Sequence, residues 1–305
     1  MTECPLPLYP VVNMARFSAL LHFVFTIVHG ASSSQHVLAA PQDTCVSHDS
    51  PNGHAQQYPE LISGNLNGTT LIVPISLTTA RHIIPKKYRI AEEAYRTLLP
   101  SFPAGMYPMM AQIVHDHDVQ LPAYNASLAD FSRASLEFPF VDIFGNGHSS
   151  FRWADTFMMS ATNPLAIEGA RNYGVTVHPS TFDPPCDAYR SLPGGATYTF
   201  TQGSNGTERN FMTIEARPFW KHVPYPLDFI KNITNQPVFA NVKSCDYFIR
   251  LFNTTLTDTA VPVVGTVRAN LEPFAEPQSW HGVYGWRMAT AFLEPPTPAE
   301  CKPPR

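Results

Sequence analysis

The run His115-Asp116-His117-Asp118 holds two imidazoles two positions apart. On a strand these share one face, the arrangement of a chelating pair. Spacing places no third ligand, His148 and Glu137 being the candidates, and no metal is assigned. Glu137 and Glu168 lie on apolar segments. Burial there would raise a carboxyl pKa and suit it to carrying protons, whereas an outward strand position would leave it solvated. Arg133 and Arg171 offer guanidinium forks for a carboxylate or enolate oxygen, and Arg171 could equally bond strand carbonyls. Imidazole titrates near neutrality, so His178, just before Pro179, suits either general acid–base work or simple packing in a turn. Trp153, Phe157 and Tyr173, together with His115, stand as the ligand-contacting candidates. There is no Gly-x-Ser-x-Gly element, phosphate-binding glycine loop or dinucleotide fingerprint. Serine hydrolase, kinase and nicotinamide chemistry are therefore disfavoured, and no cofactor is expected.

Most of these residues fall within one stretch, Phe131 to Pro179, so its elements must position them. Leu136 to Phe144 and Phe151 to Met159 are strand-like runs flanking Gly145-Asn146-Gly147, a hairpin signal. A turn at Thr162-Asn163-Pro164 follows, and Val175-Thr176-Val177 is β-like. Upstream, Leu71 to Val73 and Met106 to Val114 read as strands. Ile90 to Leu99 reads as a helix, with Ile90, Ala94 and Leu98 on one face. Downstream, Ala196 to Phe200 and Phe211 to Ala216 form a strand pair, and Pro218 to Pro226 a proline-punctuated loop. Phe239 to Val242, Tyr247 to Thr255, Val261 to Val267 and Gly282 to Phe292 supply further strands.

Composition agrees with a β-dominated chain. Thirty of its 305 residues are proline, about twice average usage, which disfavours long helices. The 44% hydrophobic content suffices for a core. The net charge of −4, without a basic block, argues against a nucleic-acid partner.

The first residues read as a secretory leader: Met14-Ala15-Arg16, an apolar run from Phe17 to Val28, then Gly30-Ala31-Ser32-Ser33. That run is too short to span a bilayer stably. Sequons at Asn67, Asn125, Asn205, Asn232 and Asn253 suit surface turns of a secreted glycoprotein. Without the leader, Cys45, Cys186, Cys245 and Cys301 remain for disulfides, with three pairings open. The expected organisation is a signal peptide over 1–32, an irregular arm over 33–60, one β domain over 61–295 and an extended tail over 296–305.

The chain resembles the acetoacetate decarboxylase family, and several short segments carry the likeness in order. Leu71 to Ile90, with Ala80-Arg81-His82-Ile83-Ile84-Pro85, looks like that family's early strand and short helix. Ile113 to Asp116 looks like its strand ending in a His-Asp pair, and Leu136 to Phe140 like its proline-containing strand. Met158 to Arg171 is similar to its segment ending in a Gly-Arg pair. The fold this implies is a closed, mainly antiparallel β-barrel or cone with an apolar central cavity.

The resemblance fails at the residue that matters most. The family's chemistry needs a Schiff-base lysine after the Gly-Arg segment. Here the matching positions are Val177, His178 and Pro179, and no lysine occurs between Lys87 and Lys221. A family acidic residue falls on Arg133. Schiff-base decarboxylation is thus disfavoured unless Lys221 or Lys243 supplies an amine from elsewhere. The expected function is binding of a small, apolar keto or polyketide-like compound. A lyase or isomerase reaction by non-covalent acid–base chemistry would then use His178 as proton carrier, Arg171 or Arg133 as oxyanion partner, and Glu137. The alternative is a non-catalytic binding or structural glycoprotein. A homo-oligomer is compatible with either.

Overall fold

The computed structural model describes Ser47 and residues 49–205 and 209–303. The expected signal peptide, the start of the arm and Cys45 lie outside the described residues. From the arm to the first long loop the order is β1 (Ile62–Ser76), α1 (Leu77–Ile83), β2 (Arg89–Ile90), α2 (Glu92–Leu98), β3 (Met106–Leu121) and β4 (Ala126–Leu128). The central stretch supplies β5 (Phe131–Asp142), β6 (Phe151–Trp153), β7 (Thr156–Ser160), α3 (Pro164–Asn172) and β8 (Thr176–Asp183). After it come β9 (Arg190–Ser191), β10 (Thr197–Gly203), β11 (Phe211–Pro218), α4 (Leu227–Thr234), β12 (Val238–Phe239), β13 (Ile249–Leu251), β14 (Val261–Asn270) and β15 (Gln278–Glu294).

The sheet closes on itself. Pairing runs β5-β7-β8-β10-β11-β14-β15-β1-β3, and β3 pairs back to β5. This is a mixed barrel rather than a wholly antiparallel one, because β7 and β8 are parallel, with Phe157 opposite Val177 and Met158 opposite His178. The cause is α3, which lies between them. A crossover helix can join parallel neighbours where a tight turn cannot.

The expected hairpin forms in a modified way. Its return arm breaks into β6 and β7, both antiparallel to β5, with an irregularity between Phe138 and Val141. Phe140 sits there at φ 62 and donates its N–H to Gln236 Oε1 at 2.8 Å. The Gly145-Asn146-Gly147 loop is held by Asp142, whose carboxylate accepts the N–H groups of Phe144, Gly145 and Gly147 at 3.1, 2.8 and 2.8 Å.

The turn expected at Thr162-Asn163-Pro164 is instead a helix start. Asn163 Oδ1 accepts from Ala166 N–H at 3.0 Å, and Pro164 occupies the first turn, where a missing N–H costs nothing. Helix α4 was not expected from the sequence, although Phe229, Ile230, Ile233 and Thr234 give it a buried face with helical spacing. The strands expected over Phe239 to Val242 and Tyr247 to Thr255 shrink to Val238–Phe239 and Ile249–Leu251. Among the described residues no helix is long and apolar enough to cross a membrane.

Both faces of β1, β3 and β5 are covered. Leu71, Val73, Ala111, Leu136 and Ile214 belong to one large apolar cluster, and Leu66, Val114, Phe131, Phe157 and Phe292 to a second. The tail is pinned as expected. Cys245 bonds Cys301, with Cα atoms 4.9 Å apart, and Lys302 N–H donates to Tyr247 Oη at 2.8 Å. Cys186 is also disulfide-bonded. Among the sequons, Asn125, Asn205, Asn232 and Asn253 are exposed. Asn67 departs from the expected turn: it lies within β1 between two paired strands, and its Nδ2 donates to Asp49 Oδ1 at 2.7 Å. Asn232 is on α4 rather than in a turn.

Candidate functional site

A cavity of about 130 Å³ lies where β3, β5, β7 and β15 meet the underside of α3. Ala166, Gly169 and Ala170 reach it from α3, and their small size lets the helix sit close. Phe131, Phe157, Met159, Phe248 and Phe292 make the apolar wall. The cavity is not apolar throughout, as the resemblance implied. Asp116, Arg133, Arg152, Asp246, Glu294 and Tyr173 also line it.

Sheet register explains the charged side. Arg133 faces Val114 across the β5–β3 pair, and Asp116 faces Phe131. Alternation places Arg133 and Asp116 on one face as diagonal neighbours. Arg133 Nε lies 3.0 Å from Asp116 Oδ2, and its guanidinium is 5.3 Å from the Phe248 ring centre. Two positions further along β5, Ser135 Oγ donates to Glu137 Oε1 at 2.5 Å. Gln112 Nε2 donates to the same oxygen at 2.6 Å, and Arg250 Nη2 donates to Gln112 Oε1 at 2.7 Å. Arg152 Nε lies 2.8 Å from Glu137 Oε2, and its Nη1 donates to Thr234 O at 2.9 Å. Glu137 is thus a buried structural anion, and a proton-carrying role for it is corrected. Burial acts to raise its carboxyl, but Arg152 and the hydrogen bonds outweigh that and hold it below the ordinary range.

The carboxyls at the other end of the network behave oppositely. Burial, then repulsion from Asp246, pushes Glu294 well above the usual carboxylate range. Burial raises Asp246 to about 6 despite its bond from Phe248 N–H and the nearby arginines. Asp116 is also raised by burial, with Arg133 opposing. Burial lowers Arg250 to about 9, with Arg152 and Arg133 adding repulsion. Desolvation thus raises both Asp246 and Glu294 in the cavity wall that they share with the Arg133 guanidinium. Tyr173, raised by burial and by Glu294, closes this end and donates its hydroxyl to Pro295 O at 3.3 Å.

Several expected site residues lie elsewhere. His178 is on β8, 3.1 Å from Glu272 Oε2, and does not line the cavity. Arg171 is exposed on α3 and donates to Val177 O at 3.4 Å, the structural role foreseen for it. Glu168 is exposed. Trp153 is buried, but its indole N–H goes to Ala240 O at 3.0 Å and it is not in the cavity wall. His115 points to the opposite side of β3 from Asp116 and bonds Ser132. Of the expected residues, Arg133, Phe157 and Tyr173 do meet in the cavity. Asp116, Asp246 and Glu294 were missed as site residues. The available signal was a carboxyl at the end of an apolar strand, as at Glu294, or beside a cysteine, as at Asp246.

A wider groove of about 770 Å³ runs over β10, β11 and β14. Its charged residues Arg209, Glu215, Arg217 and Arg268 are all exposed, so they remain solvated.

No family model matches this chain, and no curated protein matches it. Among solved structures, it is similar to the enduracididine biosynthesis enzyme MppR complexed with pyruvate. That match has 9% identity and a TM-score of 0.42, covering 77% of this chain and 86% of the other. It is also similar to an acetoacetate decarboxylase-like enzyme from Sphingomonas wittichii RW1, at 7% identity and a TM-score of 0.40, covering 80% and 93%. At these TM-scores the likeness bears no weight for activity.

Proposed function

We propose that this protein binds a small carbonyl or carboxylate compound in the Arg133–Glu294 cavity and moves a proton on it without a covalent intermediate. One observation carries the reading: two carboxyls that desolvation raises, Asp246 and Glu294, line the same small cavity as the Arg133 guanidinium. Two of the five N–H donors of Arg133 go to Asp116. The guanidinium suits a ligand oxygen that gains negative charge, and Glu294 suits proton donation to it. The reaction class is enolisation, dehydration or isomerisation. Size limits the ligand. A cavity of roughly 150 Å³ admits benzene, so a compound of about six heavy atoms fits, and a polyketide does not.

The route through His178 gives way to Glu294 and Asp246, because His178 is not in the cavity wall. Four exposed sequons and a disulfide support a secretory-pathway setting for the protein.

The test is α-proton exchange of three- and four-carbon keto acids, of about six or seven heavy atoms, in heavy water, followed by proton NMR. Exchange that falls about a hundredfold or more in Glu294→Gln supports the proposal. Ligand binding without exchange in the natural protein favours a non-catalytic carrier. Exchange unaffected by Glu294→Gln and Asp246→Asn refutes the assignment.

A further inference from the structure

His115 and His117 alternate with Asp116 along β3, so they face away from the cavity. There one ligand atom each of His115, His117 and Asp130 lie within 4.8 Å of one another, His115 Nε2 being 3.8 Å and His117 Nδ1 2.7 Å from Asp130 Oδ2. His115 has a fully buried side chain, and its Nδ1 is 2.9 Å from Ser132 Oγ. That bond sets the ring and leaves Nε2 directed at Asp130. Among the described residues Nε2 has no hydrogen-bond partner. The Asp130 oxygen is 3.8 Å away, beyond hydrogen-bond reach. A buried ring nitrogen in that state is costly. A cation held between it and the carboxylate would satisfy both.

The other two groups complete the set. Asp130 Oδ2 lies 2.7 Å from His117 Nδ1, and Oδ1 accepts Asp118 N–H at 3.1 Å. The side chains of His117 and Asp130 are 18% and 16% exposed, which gives an ion a way in.

We propose that His115 Nε2, His117 Nδ1 and Asp130 Oδ2 bind one first-row divalent transition-metal ion of the zinc class, with solvent filling the remaining positions. Two imidazoles and one carboxylate suit zinc, cobalt or iron over magnesium or calcium. Bonds of about 2.0–2.2 Å put neighbouring ligand atoms roughly 3.3 Å apart. The His117–Asp130 contact then opens, and the widest separation, up to 4.8 Å, closes by about 1.5 Å through movement of the half-buried His117 and Asp130 side chains. Ser132 is the outer partner that orients His115.

The site stands apart from the proposed chemistry in the cavity, and its test reads binding alone. The full chain, stripped with chelator, is titrated with Zn²⁺ by calorimetry and with Co²⁺ by visible absorption. One saturable site per chain is expected. Asp130→Asn and His117→Gln, each first shown folded by circular dichroism, are expected to weaken it roughly tenfold to a hundredfold. His115→Ala should remove it. Affinity unchanged in both half-buried variants overturns the proposal, as does the absence of saturable binding below about 1 mM Zn²⁺.

Discussion

Arg133 Nε lies 3.0 Å from Asp116 Oδ2, and the two residues, 17 positions apart, come from the paired strands β5 and β3. Both line the cavity. Their side chains are 16% and 3% exposed, so each charge depends on the other for compensation. Arg133→Met should therefore destabilise the fold by about 3–5 kcal/mol, since it strands a buried carboxylate. Asp116→Asn with Arg133→Met should recover much of that loss. Urea unfolding of the single and double variants measures both.

Glu294 and Asp246 give a pH dependence of defined sign. Folded Asp246 holds its proton to about 6, whereas an unfolded aspartate releases it near 4. In that window the folded state binds more protons, so stability from this group is full below about pH 4 and is lost as pH rises to about 6. Glu294, raised further, extends the loss to higher pH. Asp246→Asn should flatten the decline between about pH 4 and 6 relative to the natural chain. Thermal unfolding across that range is the measurement.

His178 is paired with Glu272, whose side chain is 51% exposed. Such partly solvated pairs contribute at most about 1 kcal/mol. His178→Ala should leave ligand affinity in the cavity unchanged and lower stability by no more than that amount. A large loss of ligand affinity measured by calorimetry would restore this histidine to the site.

Cys245 and Cys301 enclose a separation of 56 residues that contains β13, β14 and β15. Opening that loop by Cys301→Ser should cost about 2–4 kcal/mol. Because Asp246 adjoins Cys245, the same change should also weaken ligand binding. Denaturation of the variant beside the natural protein measures the first effect, and ligand titration of the folded variant by calorimetry measures the second.

Asp142 caps the loop after β5 with three backbone N–H bonds. Asp142→Ala should cost roughly 1.5–3 kcal/mol. Hydrogen exchange should rise first at Gly145 and Gly147.

The β character of the chain was legible along it. Short apolar runs such as Met106 to Val114, continuously buried because the strand is covered on both faces, read as strands, and prolines remove the helical alternative. A helix such as α3 was missed because its start depends on one asparagine side chain turning back to bond Ala166 N–H, which looks like a turn in sequence. Arg133, Phe157 and Tyr173 were found because they lie within one stretch whose pairing is largely local. Asp246 and Glu294 were not, since 48 positions separate them and nothing near either marks a partner. Closure of β3 onto β5, together with the β13–β15 pairing and the Cys245–Cys301 bond, brings them to one cavity. Desolvation there raises their pKa values, and desolvation is a property of the closed barrel rather than of any segment. Asp130 joins His115 and His117 for the same reason. The chain order states which groups can carry charge, and the closed sheet decides which of them lose water together.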